Sequence, residues 1–265
     1  MFENMLPYEP VIRLGAFAAV FFGMAVWELT WPRRPQAVGR LVRWPNNIGI
    51  VALNTLVARV VFPTAAVGVG VIAENEGWGL FNVVAVPEWV AFVLAVVLLD
   101  FAIYAQHVVF HKVPVLWRLH RMHHADREID VTTGARFHPI EIVLSMAIKI
   151  VVVAALGAAP AAVLIFEVVL NVMATFNHAN ARLPIGLDRV VRLFVVTPDM
   201  HRVHHSVNVH ETNSNYGFNL SCWDRLCATY RAQPDAGHDG MTIGLNQFRD
   251  PGEQRLDRML IQPFK

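Results

Sequence analysis

Two pentapeptides, His120-Arg121-Met122-His123-His124 and His201-Arg202-Val203-His204-His205, each carry three imidazoles within five residues. His107 and His111 lie just upstream at i, i+4 spacing. Residues three and four apart share a helical face, so each string aims two or three rings at one spot. Neutral imidazole is the commonest metal ligand, and a polar ring is costly to bury without a partner. Eleven of the twelve histidines fall between His107 and His210. With His178 the candidate donors exceed the four that a tetrahedral zinc takes. Two ions held about 3.5–4 Å apart, sharing roughly eight to ten donors, account for them more economically. His138, just before Pro139 at a helix entrance, is either a tenth donor or a support for the others. His210 and His238 stand apart in polar stretches and read as surface or supporting residues. Only Cys222 and Cys227 are present, which argues against iron–sulfur chemistry. The repeated Glu-x-x-His of soluble di-iron bundles is absent.

The elements that position these rings belong to a membrane protein. Of 265 residues, 55% are hydrophobic and only 16% charged, against about 25% charged in soluble domains. Net charge is near zero, and nothing suggests a nucleic-acid partner. Two cysteines are too few for a disulfide framework or a tetrathiolate zinc site. Arginine far exceeds lysine, and Ala and Val are abundant, as in GC-rich bacterial proteins.

A bilayer core takes roughly 20 apolar residues per helix. Five segments qualify: Val11 to Leu29, about Ile48 to Ala73, about Trp89 to Phe110, about Ile140 to Ala158, and about Ala161 to Phe176. The first follows Glu3 and Glu9 and lacks a cleavage site, so it reads as a retained span and not a secretory signal. Gly157 and Pro160 predict a tight hairpin between the last two, which are short enough to dip into the bilayer without crossing it fully. Segments 1–10, 74–88 and the tip near Ala158 then hold Glu3, Glu9, Glu74, Glu76 and Glu88 and no Lys or Arg. Segments 30–47, 111–139 and 177–265 hold almost every Arg and Lys. The positive-inside rule puts the N-terminus outside and the histidine clusters together at the cytoplasmic surface. Arg59 and Lys149 lie within spans. They either snorkel from a helix end or face a cavity or partner.

The residues around the histidines resemble the fatty acid hydroxylase superfamily, which includes sterol desaturases, C4-methylsterol oxidases and alkylglycerol monooxygenase. The matching strings run in family order: Asp100 to Tyr104 before His107, Leu116-Trp117-Arg118-Leu119 before the first triplet, and Arg136 to Glu141. Phe176-Asn177-His178-Ala179-Asn180, Thr197-Pro198-Asp199-Met200, Asn215-Tyr216-Gly217 and Trp223 to Leu226 follow. Together they cover about residues 90–232. Gln106, Val108 and Cys227-Ala228 depart from the family pattern; they touch the substrate pocket and leave the proposed ligands intact.

The resemblance implies an all-α integral membrane bundle of four to five membrane helices, with a cytoplasmic helical cap holding a His-rich dinuclear site. Residues 1–88 would form the N-terminal membrane helices, 89–232 the catalytic domain and 233–265 a cytoplasmic tail. It implies two iron ions held by His107, His111, His120, His123, His124, His178, His201, His204 and His205, with zinc as a substitute in purified protein. Asp100, Asp126, Glu141, Asn180 and Asp199 are the expected partners of the outer ring nitrogens, with Asp199 alternatively capping its helix. The implied reaction is O2-dependent hydroxylation of an unactivated C–H bond of a lipid, fatty acyl, sterol or related, in a bacterial inner membrane. Desaturation by the same centre is the alternative, and a membrane metal transporter the remote one. Met146, Phe166, Met173 and Phe176 line an expected substrate tunnel or simply pack against neighbours. Electrons would come from a separate ferredoxin, rubredoxin or cytochrome.

Overall fold

The computed structural model describes residues 3–265, with side chains from Asn4 onward. Met1, Phe2 and the Glu3 side chain, part of the expected external segment, fall outside the described residues. The chain is helical throughout: α1 Glu9–Thr30, α2 Arg40–Val61, α3 Ala65–Glu76, α4 Leu80–Val83, α5 Glu88–Lys112, α6 Pro114–His124, α7 Pro139–Leu156 and α8 Pro160–His178. Shorter helices follow: α9 Ile185–Val191, α10 Pro198–His204, α11 Val209–Thr212, α12 Cys222–Leu226, α13 Gly237–Gly240 and α14 Leu256–Ile261. Among the described residues there is no strand; pairing is confined to isolated bridges such as Pro32 with Ala181 and Val195 with Leu220.

Proline sets several starts. Pro114, Pro139, Pro160 and Pro198 each occupy the first helical position, where the missing N–H costs nothing and the fixed φ is helical. The α7–α8 hairpin turns on Gly157 in the left-handed region at φ +63°.

Five segments are long and apolar enough to cross a bilayer, and the protein is an integral membrane protein. The second differs from its expected form. The continuous helix over 48–73 is instead α2, which begins at Arg40, and α3, separated at Phe62-Pro63-Thr64. Pro63 supplies no N–H and its ring clashes with the preceding turn. Arg59 and Lys149 part company. Arg59 is exposed in the last turn of α2, whereas Lys149 pairs with Glu167 at 2.5 Å, so its snorkelling reading is overturned.

Polarity is arranged inside out. Val11, Leu14, Phe22, Val60 and Val151 face outward, as lipid-facing residues do, while the polar cap is buried. Ala66 and Val67 of α3 pack with Ala158, Ala162 and Val163 around one core. Small residues there let helices approach closely. The segment over 233–265, expected as a tail, folds back onto the bundle. Met259 of α14 packs with Ile50 and Met122, and Gln254 accepts a hydrogen bond from Arg136 at 2.9 Å.

Candidate metal centre

The α5 helix, 25 residues long, rises about 37 Å and so outruns a hydrocarbon layer of about 30 Å. Its last turns, with His107 and His111, emerge at one end of the bundle. Pro114 restarts the chain as α6, whose His120 and His124 face His107 and His111 of α5 while His123 turns to His178. Thr197 caps α10 by accepting from the Met200 amide, and α10 delivers the second triplet beneath α6. His178 is the last residue of α8.

These residues meet in two groups of buried side chains that could each hold a metal ion: His107, His111, His120, His124 and His204, and His123, His178, His201 and His205. Within each, one ring nitrogen per residue lies within 4.8 Å of the others. Tautomers decide what this means. The Nδ1–H of His107 donates to the Tyr216 carbonyl at 2.7 Å, that of His204 to the Ser214 carbonyl at 2.7 Å, and that of His178 to the Ala174 carbonyl at 2.7 Å. His120 Nδ1 donates to Glu141 Oε1 at 2.6 Å. A carbonyl only accepts, so in the neutral rings of His107, His178 and His204 the Nε2 atoms carry bare lone pairs. Yet the His107 Nε2 lies 3.1 Å from that of His120 and 3.0 Å from that of His204. The His178 Nε2 lies 3.2 Å from that of His123 and 3.0 Å from that of His201. The His107 and His204 lone pairs face each other at 3.0 Å and repel unless a cation lies among them; in the second group the His178 Nε2 alone is fixed in this way, and the Nδ1 atoms of His123 and His201 have no partner among the described residues. Ligands at right angles on bonds of about 2.1 Å sit about 3.0 Å apart, which is the spacing found.

Burial keeps five of the rings beyond the spans neutral. His204 is held down at about 3. Burial and then neighbouring imidazoles press His123, His124, His201 and His205 well below the ordinary histidine value. Both ring nitrogens of His111, His124 and His205 lack a hydrogen-bond partner among the described residues. Buried polar atoms are seldom left so, and an all-imidazole donor set suits a transition metal.

Of the five expected partners, Glu141 alone bonds a side chain of the nine clustered histidines. Asp100 accepts from the Leu220 amide and the Trp223 indole, at 3.2 and 2.8 Å, and fastens α5 to the loop that carries Tyr216. Asp126 grips Arg43 at 2.6 and 2.8 Å; burial alone would raise its pKa, but the Arg43 and Arg136 charges hold it far below the carboxylate range. Asn180 bonds the Arg34 backbone. Asp199 pairs with Arg33 and Arg202, leaving the helix cap to Thr197. His138 joins neither group; its Nδ1 caps α7 by accepting from Ile140, and its Nε2 donates to the Leu260 carbonyl. His210 is exposed, while His238 is buried 3.6 Å from Asp199.

A cavity of about 450 Å³ reaches His107 and His120 from within the bundle. Ile103, Phe110, Phe137, Met146 and Leu170 give it an apolar wall. Of the expected tunnel residues only Met146 lines it. Phe166 is sealed in the core, Phe176 packs against Met24 and Ala25, and Met173 lies off the cavity wall.

The family model for fatty acid hydroxylase matches residues 92–229. The chain belongs to this family. It is 34% identical over 143 residues to an ornithine lipid hydroxylase of Rhizobium tropici, covering 54% of this chain and 42% of that one. It is 26% identical over 245 residues to alkylglycerol monooxygenase of Xenopus tropicalis, covering 86% and 50%. Cholesterol 25-hydroxylase of Rattus norvegicus is 26% identical over 163 residues, covering 61% and 53%. The chain thus spans about half the length of these relatives. No solved structure matches it.

Several positioning groups had no sequence signal. The carbonyls of Ala174, Ser214 and Tyr216 are backbone atoms, available from any residue. Gly134 does have one, since a Cβ there would meet the Ala174 carbonyl oxygen at 2.5 Å and His178 Nδ1 at 3.1 Å. Phe137 stacks on His123 at 4.6 Å.

Proposed function

We propose that the chain is a membrane di-iron oxygenase that hydroxylates an unactivated C–H bond of a lipid, with O2 and externally supplied electrons. The reading rests on nine buried histidines converging in two adjoining groups, with the bare Nε2 atoms of His107 and His204 facing each other in the first. The nine histidines are the ligands, and Glu141 orients His120. Bound there, two iron ions supply the oxidising power that no side chain has, with one oxygen atom entering the lipid and the other leaving as water.

The protein's part is positioning. His107 and His120 close the inner end of the cavity, so a chain in it presents its carbon to the five-histidine group. The apolar wall excludes water from that carbon. The positive-inside rule puts the metal end in the cytoplasm of a bacterial cell. There Trp117 lies 4.8 Å from His111 and 5.3 Å from His124, flanked by Lys112, Arg118 and Arg121. That basic surface suits an acidic electron donor of ferredoxin, rubredoxin or cytochrome type.

The test is expression of the chain beside its His123→Ala and His204→Ala variants, with iron analysis and mass spectrometry of host lipids. A lipid gaining the mass of one oxygen, absent in both variants along with the iron, is expected. Loss of two hydrogens instead would make the enzyme a desaturase. Full activity in either variant would refute the ligand assignment.

A further inference from the structure

The end of the cavity remote from the histidines is charged. Glu9 and Arg13 of α1, Lys149 of α7 and Glu167 of α8 all line it. Arg13 Nη2 lies 2.5 Å from Glu167 Oε2, Lys149 Nζ 2.5 Å from Glu167 Oε1, and Arg13 Nε 2.8 Å from Glu9 Oε1. Both oxygens of Glu167 are therefore taken. Arg13 and Lys149 are not exhausted, because a guanidinium carries five N–H donors and an ammonium three. Ionisable groups inside membrane helices are expensive and as a rule mark a functional site. Hydrocarbon alone gives no reason to hold four of them on a substrate cavity.

Between this cluster and the histidines the wall again carries unused polarity. Asn54 is 7% exposed and donates through Nδ2 to the Phe137 carbonyl, while its Oδ1 has no partner among the described residues. Gln106 donates to Ser145 and leaves Oε1 likewise unmatched. Both line the cavity. Lys149 lies eight residues beyond Glu141 on α7, about 12 Å along the axis.

We propose that Arg13 and Lys149 form a head-group site for an anionic amphiphile, a carboxylate or a phosphate, which fixes the oxidised carbon by its distance from the head. This deepens the hydroxylase reading and rests on it for the word substrate. The binding itself does not depend on iron chemistry. The unmatched oxygens of Asn54 and Gln106 would receive a hydroxyl or amide N–H carried between head and reacting carbon.

Binding to the full-length protein in detergent tests this, with palmitate, hexadecyl phosphate and hexadecanol as probes followed by native mass spectrometry. Palmitate or hexadecyl phosphate, whichever head the site takes, is expected to bind at least tenfold more tightly than hexadecanol. Lys149→Met should abolish that preference with metal content and hexadecanol binding unchanged. Equal binding of all three probes by the wild type would overturn the proposal even if the variant failed to fold. So would a preference that survives Lys149→Met. Because no turnover is read, a failed head-group site remains distinct from a failed oxygenase assignment.

Discussion

At the residue scale, the decisive feature is hydrogen-bond direction. Backbone carbonyls and one carboxylate fix the outer nitrogens of His107, His120, His178 and His204, so the inner ones of the neutral, carbonyl-bound rings must be lone pairs. Glu141→Gln keeps an acceptor beside His120 but removes the negative charge; a 10- to 100-fold loss in metal affinity or activity is expected, on the order seen for such supporting groups, read by metal titration and turnover. The lowered histidine values carry a second prediction. A depressed pKa leaves His123, His124, His201, His204 and His205 neutral in the folded, metal-free protein at pH 6, below the ordinary value of about 6.5. Metal uptake there should release few protons, and calorimetry in two buffers of different ionisation enthalpy would read the same heat in both. The triplets were legible in the sequence because side-chain type and spacing carry them. Of the acidic partners only Glu141 was. Asp100, Asp126 and Asp199 stand near histidines in sequence but spend their oxygens on Trp223, Arg43, Arg33 and Arg202.

At the element scale, the spans were read from hydropathy, and their placement followed. The break between α2 and α3 went unread although Pro63 marks it, because apolar residues continue on both sides. The glycines are the sharper points. At Gly157 the left-handed φ and a Cβ position 2.4 Å from the Trp78 carbonyl oxygen oppose any side chain. Gly157→Ala should cost about 1–2 kcal/mol from the backbone alone, seen as a lower Tm. Gly134→Ala should act locally instead, pushing against α8 beside His178. Its expected result is less metal per chain with the helix content, by circular dichroism, unchanged.

At the scale of the whole molecule, α2 is tied to the cap by charge. Arg43 is fully buried and bonds Asp126 and Asp130 together, at 2.6 and 2.5 Å. Removing one member of a buried pair costs about 3–5 kcal/mol because its partner is left uncompensated. Arg43→Met should therefore lower Tm sharply and shed metal. The sign with pH follows from Asp126, whose folded pKa lies below the ordinary carboxylate value of about 3.9. Its contribution is complete above that value and is lost as acid carries the pH down through the folded one; a Tm series against pH would trace it. None of this network was legible from the chain, since Arg43 and Asp126 lie far apart along it and only folding makes them neighbours.

Each of the two helices that carry a triplet serves both ligand groups. The α6 helix gives His120 and His124 to one and His123 to the other, while the α10 segment gives His204 to the first and His201 and His205 to the second. An ion seated in either group would then set the rotation of helices that also shape the neighbouring nest. Filling should be cooperative, with empty and doubly loaded molecules dominating a stepwise titration and singly loaded ones scarce.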